Sequence, residues 1–516
     1  MAYLLGIDIG TSGTKTVLFD EKGNTVASAL EEYPLYQPNI GWAEQDPEDW
    51  WRATVDSIRK VLAKSGIKPD DISGIGLSGQ MHGLVLLDAE DKVLRRSIIW
   101  MDQRTTAECE QITSIIGAER LVEITANPAL VGFTASKIMW VKNHEPDIFE
   151  KTKKILLPKD YIRLKLTGEF ATEVSDASGM QLLDVPRRCW SDEMLSKLGI
   201  DKNLVGKVYE SQEVSGKICG SAAAVTGLKE GTPVVGGGGD QAAGAVGNGI
   251  VKPGLISSTI GTSGVVFAYL DKISIDPKGR TQTFCHAVPN KWHVMGVTQA
   301  AGFSLKWFRD ILCKDEISVA ELMDVDPYML MDQAAAKVRP GSNGLIYLPY
   351  LMGERAPHLD SDARGVFFGL SPVHAKRDMI RSVMEGVVYA LRDCLEIIKG
   401  LGAEINEVRA SGGGGKSRLW KQMQADIFGT PITTINSSEG PALGVALLAG
   451  VGTGIYKDVA EACDTAIKVK EVQQPDMALN EKYMEFYKLY GQLYRSLRND
   501  FKDLAGIMGS VYGDGV

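Results

Sequence analysis

Two short glycine turns carry hydroxyl groups in the same order. Ile9-Gly10-Thr11-Ser12-Gly13 recurs unchanged as Ile260-Gly261-Thr262-Ser263-Gly264. Backbone N–H groups in such a turn converge, and converging N–H groups bind phosphate oxygens. Thr11, Ser12 and Thr14 add hydroxyl donors to the first copy, and Lys15 adds a positive charge. As chemistry, the pair is two phosphate-binding loops facing each other across a cleft; the other reading is two ordinary hairpins. The copies differ just before the turn, where Asp8 stands in the first and Thr259 in the second. A carboxylate beside a phosphate is unfavourable unless a cation lies between them. Asp8 is therefore a candidate Mg²⁺ ligand, with capping of the turn as its alternative.

Three further sites offer chemistry. Asp240 follows the run Gly236 to Gly239 at the end of an apolar segment. A carboxylate there sits in a ligand crevice or serves as a helix N-cap; near two phosphate loops it is a candidate general base for an alcohol attacking phosphorus. Met81-His82 lies in a glycine-flanked loop, where the imidazole can hydrogen-bond a sugar hydroxyl. Gly413 and Gly414 let a flat group such as a nucleotide base approach the backbone, unless the segment is a plain strand–helix turn. Gly412 to Ser417 imitates a Walker loop, but Ala410 occupies the position that motif reserves for glycine. No two of the six histidines have metal-ligand spacing.

These residues need strand ends and helix starts to hold them. Apolar runs predict strands at Tyr3 to Ile9, Thr14 to Asp20, Ile72 to Leu77, Thr232 to Val235, Leu255 to Ile260, Val265 to Leu270 and Val408 to Ser411. Helices are expected over Asp49 to Ser65, from Gln241, and over Ser417 to Phe428, Glu439 to Gly450 and Met477 to Asp500, with Gly509 to Val516 frayed. Strands alternating with helices make an α/β protein. The repeated strand–turn–strand unit begins again about halfway along the chain, which implies duplication. Two related domains follow, 1–250 and 251–516, with the boundary near Ile250 to Gly254.

Composition closes off other classes. The chain has 516 residues, 44% hydrophobic and 23% charged, enough for a large core and unlike a disordered chain. Its formal net charge is −9, without Lys/Arg blocks, which disfavours nucleic acid and anionic membranes as partners. Seven dispersed cysteines without a CxxC argue against zinc and against a disulfide framework. The start MAYLLGIDIG lacks the pattern of a secretory leader, and the longest apolar stretch, Ala442 to Val451, is too short to span a bilayer. A cytoplasmic location is expected.

Longer motifs add a resemblance. Gly132-Phe133-Thr134-Ala135-Ser136-Lys137-Ile138-Met139-Trp140-Val141, and Gly365-Val366-Phe367-Phe368-Gly369-Leu370 continuing to Glu385, resemble the two signatures of the FGGY carbohydrate kinases. The likeness covers nearly the whole chain. Gln80-Met81-His82-Gly83 is similar to the sugar loop of members acting on xylulose, whereas members acting on glycerol carry Arg-Glu there. The resemblance implies two ribonuclease-H-like domains of the actin/hexokinase superfamily with a central cleft. It implies that Thr11, Ser12, Thr14, Lys15, Gly261 and Thr262 hold ATP phosphates, and that Gly302, Gly413, Gly414 and Ser417 line the nucleotide. It also makes Asp8 the residue associated with Mg²⁺, Asp240 the base, and Met81, His82, Asp240 and Gln241 the sugar site. The implied reaction is ATP-dependent phosphorylation of D-xylulose at O5; a homodimer is compatible with it. Gln241 departs from the Asn of some members acting on xylulose, so ribulose, gluconate and glycerol stay open as acceptors. A non-catalytic actin-like ATP switch is the other class, and it would need no proton acceptor.

Overall fold

The computed structural model describes residues 2–512. The first sheet contains β1 (Tyr3–Ile9), β2 (Gly13–Asp20), β3 (Thr25–Glu32), β4 (Ile72–Gly79), β5 (Val214–Lys217) and β6 (Pro233–Val235), in the order β5-β6-β4-β1-β2-β3; β7 (Gly238–Gly239) adds to the end of β4. The second sheet contains β8 (Gly254–Ile260), β9 (Gly264–Leu270), β10 (Gln282–Cys285), β11 (Trp292–Thr298), β12 (Ile405–Gly412), β13 (Ile432–Ile435) and β14 (Val469–Gln473), in the order β10-β11-β9-β8-β12-β13-β14.

The two sheets repeat each other. β1 runs antiparallel to β2 and parallel to β4; β8 runs antiparallel to β9 and parallel to β12. The antiparallel register is offset by one residue, because the counterpart of Lys15 in the second copy is Val266. Asp8 pairs with Lys15 and Ser78, and its counterpart Thr259 pairs with Val265 and Ser411. The duplication inferred from five residues therefore extends over the central strands β1, β2 and β4 and their counterparts β8, β9 and β12.

Local chemistry sets the helix ends. α1 (Pro47–Ser65) starts at Asp46, whose carboxylate accepts from the Glu48 N–H, and stops at Gly66 with φ 67°. α2 (Asp240–Gly247) opens directly from β7. α3 (Gly302–Leu312) follows β11, and α4 (Lys376–Gly400) is the central buried helix of the second unit. α5 (Arg418–Phe428) is capped by the Ser417 hydroxyl, which accepts from Trp420 N–H at 3.0 Å. α6 (Gly440–Gly452) and α7 (Met477–Tyr512) complete the set. The expected end of the last helix at Asp500 is corrected: it continues to Tyr512, so Gly509 to Tyr512 are helical, and 513–516 lie outside the described residues. Among the described residues no helix is long and apolar enough to cross a membrane.

α6 belongs to the second half by sequence but packs on the first sheet. A Cβ on Gly6 would lie 2.0 Å from Ala442 O, and one on Gly76 2.0 Å from Val445 O. Helix and strands thus touch backbone to backbone. Ala442 to Ala449 are buried there with Leu4, Val17, Val235, Ala243 and Val246.

Candidate active site

β7 delivers Asp240 to the first position of α2, after Gly239, so the carboxylate is not the N-cap of that helix. Burial and the nearby Asp8 carboxylate push the Asp240 carboxyl up to about 7. Asp240 and Gln241 line one end of a cavity of about 940 Å³, which also takes in Thr259, Phe267, Ser411 and the turn at Gly412, Gly413 and Gly415. The structure thus brings the candidate base and the candidate nucleotide turn onto one cavity, walled by α2, by β8 and β9 and by the turn after β12.

The loop with Met81 and His82 meets the Asp240 segment at Gly239. Met81 is buried, and a Cβ on Gly239 would come within 2.9 Å of its Cγ. His82 has φ 70°, a strained backbone for a residue with a side chain. Its carbonyl accepts from Lys137 Nζ at 2.8 Å and from Thr134 Oγ1 at 3.2 Å. Its ring lies against Phe133 at 4.6 Å, and Nδ1 is 3.0 Å from Gly179 O. A carbonyl only accepts, so Nδ1 carries the proton. Burial holds the imidazole pKa down at about 3. The ring is therefore neutral, and Nε2 is left as an acceptor for a hydroxyl.

Asp8 lies at the end of β1 between Lys15 and Ser78. Its Oδ1 is buried without a hydrogen-bond partner, and burial raises its pKa. The turn beside it closes through its own backbone, Gly10 N–H to Gly13 O at 3.1 Å, with the Tyr33 hydroxyl on Gly10 O. An orphaned acceptor in this place fits a hard cation. Among the described residues no three His, Cys, Asp or Glu side chains gather into a metal cage.

The remaining loop residues divide. Thr11 Oγ1 accepts from Trp100 Nε1 at 3.0 Å, Ser12 is exposed, and Thr14 Oγ1 is buried without a partner. Lys15 is paired with Glu439, at the entrance to α6, at 2.5 Å. In the second loop Gly302 N–H donates to Gly261 O at 2.8 Å, and Phe303 N–H donates to Thr262 O at 3.1 Å. A Cβ on Gly302 would stand 2.4 Å from Gly261 O, so glycine is required there. Gly414 is buried beneath the nucleotide turn. Ser417 stands apart from the cavity wall, its hydroxyl spent on the α5 cap.

Sequence reasoning left several residues without a role. Asp102 holds the Arg104 guanidinium, which also pairs with Glu44 at 2.9 Å and lies over Trp42; this group braces the fold. Glu354 is buried, accepts from Thr298 Oγ1 at 2.5 Å and from Gln299 N–H at 2.9 Å, and has its pKa pushed up to about 7 by burial. It ties the end of β11 beside the second loop. Lys137, buried with its pKa held down at about 7, was visible only as a charge inside an apolar signature. Glu173 and Ser175 had no signal toward the site, because the bonds joining Glu173 with Ser211 and Ser175 with Gly239 span 38 and 64 positions.

Comparison with known proteins agrees with this geometry. The model of the N-terminal domain of the FGGY family of carbohydrate kinases matches residues 3–247, and that of the C-terminal domain matches 256–453. The chain belongs to the FGGY family of carbohydrate kinases. It is 40% identical to a xylulose kinase of Bacillus subtilis (strain 168) over 494 residues, 96% of this chain and 97% of that one. Among solved FGGY-like structures, a xylulose kinase from Rhodospirillum rubrum superposes with a TM-score of 0.89 at 29% identity, covering 97% of this chain and 100% of the other. A gluconate kinase from Lactobacillus acidophilus superposes with a TM-score of 0.90 at 29% identity, covering 98% and 99%. The two-domain FGGY fold, of actin/hexokinase type, is thus the architecture of this carbohydrate kinase, and no non-catalytic switch is needed to explain it.

Proposed function

We propose that this kinase transfers the γ-phosphoryl group of ATP to O5 of D-xylulose, giving D-xylulose 5-phosphate and ADP. The observation that carries the reading is the Asp240 carboxyl, lifted to about 7, which lines the cavity that reaches Gly413 and directly follows the Gly239 packed on Met81. Asp240 accepts the proton of O5 and aims the oxygen; O5 bonds to phosphorus as the bond to the bridging oxygen of ADP breaks. Neutral His82 accepts a sugar hydroxyl through Nε2, Gln241 offers its amide, and Met81 forms an apolar wall. The hydroxyls of Thr11, Ser12 and Thr14 with Lys15, and the backbone of Gly261 and Thr262, hold the phosphates; Gly302, Gly413 and Gly414 flank the adenosine, while Ser417 supports the turn as the cap of α5. Asp8 would hold Mg²⁺, which neutralises phosphate charge when bound. The two sheets, with α6 carried along by the first, would close on the pair of substrates and exclude water.

Both the B. subtilis relative and the R. rubrum structure bear the name xylulose kinase, which supports the acceptor. The equally close fold of a gluconate kinase keeps gluconate as the second reading. The test is coupled ADP release with Mg-ATP across D-xylulose, D- and L-ribulose, gluconate and glycerol. The highest kcat/KM is expected for D-xylulose; a higher value for gluconate moves the acceptor and keeps the chemistry.

A further inference from the structure

Behind the site lies a buried polar group that the proposed chemistry does not use. Glu173, Ser175, Asp176, Ser178, Ser211 and Lys159 are fully buried or nearly so. The Glu173 carboxylate accepts from Ser175 N–H at 2.7 Å, Asp176 N–H at 2.8 Å, Ser211 Oγ at 2.8 Å and Ser175 Oγ at 2.8 Å. Lys159 Nζ stands 3.5 Å away and is shared with Asp160 at 2.7 Å and Asp176 at 3.2 Å. With its proton given to Glu173, Ser175 Oγ can only accept elsewhere, and it accepts the Gly239 N–H at 3.1 Å. Gly239 is the residue before Asp240.

The same short turn reaches the other half of the sugar site. Val174–Ala177 and Ser178–Met180 are consecutive single turns. Gly179 O takes the Nδ1 proton of His82, and a Cβ on Gly179 would sit 2.6 Å from that ring. Ser178 Oγ, which donates to Ser175 O, accepts the Cys285 N–H of the second sheet at 3.3 Å. One turn therefore touches the peptide that carries Asp240, the ring of His82 and the opposite unit.

We propose that Ser175 is a positioning residue: its hydroxyl, oriented by Glu173, holds the Gly239 amide and so sets the aim of Asp240 relative to His82. The inference rests on Asp240 being the base. A peptide amide buried without its acceptor rotates or recruits water, and a small misplacement of a base costs far more in turnover than in binding.

The experiment compares Ser175→Ala, Ser175→Thr, Ser211→Ala and Asp240→Asn, each in the full chain, for kcat, both KM values, thermal midpoint and ATP hydrolysis without sugar. Ser175→Ala is expected to lower kcat roughly 10- to 100-fold. The ATP KM and sugar-free hydrolysis should stay within about threefold of the native values. Ser175→Thr keeps the oxygen and should restore most of the rate. Ser211→Ala removes another hydrogen bond from the same carboxylate without touching Gly239, so it should lower the thermal midpoint while keeping most of kcat. Equal losses of kcat in Ser175→Ala and Ser211→Ala, or native kcat in Ser175→Ala, overturn the proposal. If Ser175→Ala does not fold, Ser175→Cys, a weak acceptor of similar shape, is measured the same way, and native kcat in it overturns the proposal equally. Full turnover in Asp240→Asn would instead sink the base assignment, a separate failure.

Discussion

A carboxylate that takes a proton from an alcohol must be ionised when the alcohol arrives. With its pKa near 7, Asp240 is increasingly protonated below that pH, so kcat/KM should fall as pH drops through the range, approaching tenfold per unit on the acid side. A cation held beside Asp8 draws the limb to lower pH. A flat kcat/KM from pH 5 to 8 would exclude Asp240 as the titrating base. Asp240→Asn keeps the shape and loses the acceptor; kcat should fall about 10²- to 10⁴-fold, while ATP binding by calorimetry stays near native. Matching losses in both would place Asp240 in the nucleotide site instead. At this scale the sequence singles out Asp8 and Asp240 as candidates, because residue chemistry and local pattern coincide there. It was silent on Glu173, Ser175 and Glu354, because Ser211, Gly239 and Thr298, which they bond in turn, lie dozens of positions away.

The elements were largely legible because apolar runs between glycine turns mark strand ends. Ile72 to Leu77 came out as a strand through Gly79, and Glu439 to Gly450 as a helix over Gly440–Gly452. What periodicity could not reveal was the surface that α6 covers, since an all-apolar helix has no distinct face. Glycines on strands of the other half decide it. Gly76→Ala would drive a methyl into Val445 O, and the thermal midpoint should drop by several degrees in a calorimetric scan; an unchanged midpoint would mean the helix has room to retreat. Gly302→Ala acts on a different element. Its methyl would press on Gly261 O and displace the second loop, so the ATP KM should rise roughly tenfold with the sugar KM little changed. A change in the sugar KM alone would contradict a phosphate role for that loop.

Stability of the whole molecule has its own titration. Asp393 on α4 accepts the Tyr487 hydroxyl of α7 at 2.6 Å, and burial pushes its carboxyl up to about 7. The folded chain keeps this proton where the unfolded chain, with a carboxyl pKa near 4, has released it. That contribution is complete below about 4 and is lost as pH rises through 7. Asp393→Asn mimics the protonated form, so its thermal midpoint should gain on that of the native chain between pH 5 and pH 8. A constant difference would show that Asp393 titrates normally.

The placement of α6 also bears on how the duplicated halves can be handled. A gene cut near residue 250 would look like a clean division of two similar units. Yet the first fragment would lack the helix that covers β1 and β4, leaving Leu4, Val17 and Val235 bare. Expressed alone, it should aggregate; co-expressed with the remainder, it should be rescued as a non-covalent complex. A soluble, self-sufficient first unit would require carrying α6 along as a grafted C-terminal helix. The two halves are copies in topology but are no longer interchangeable parts.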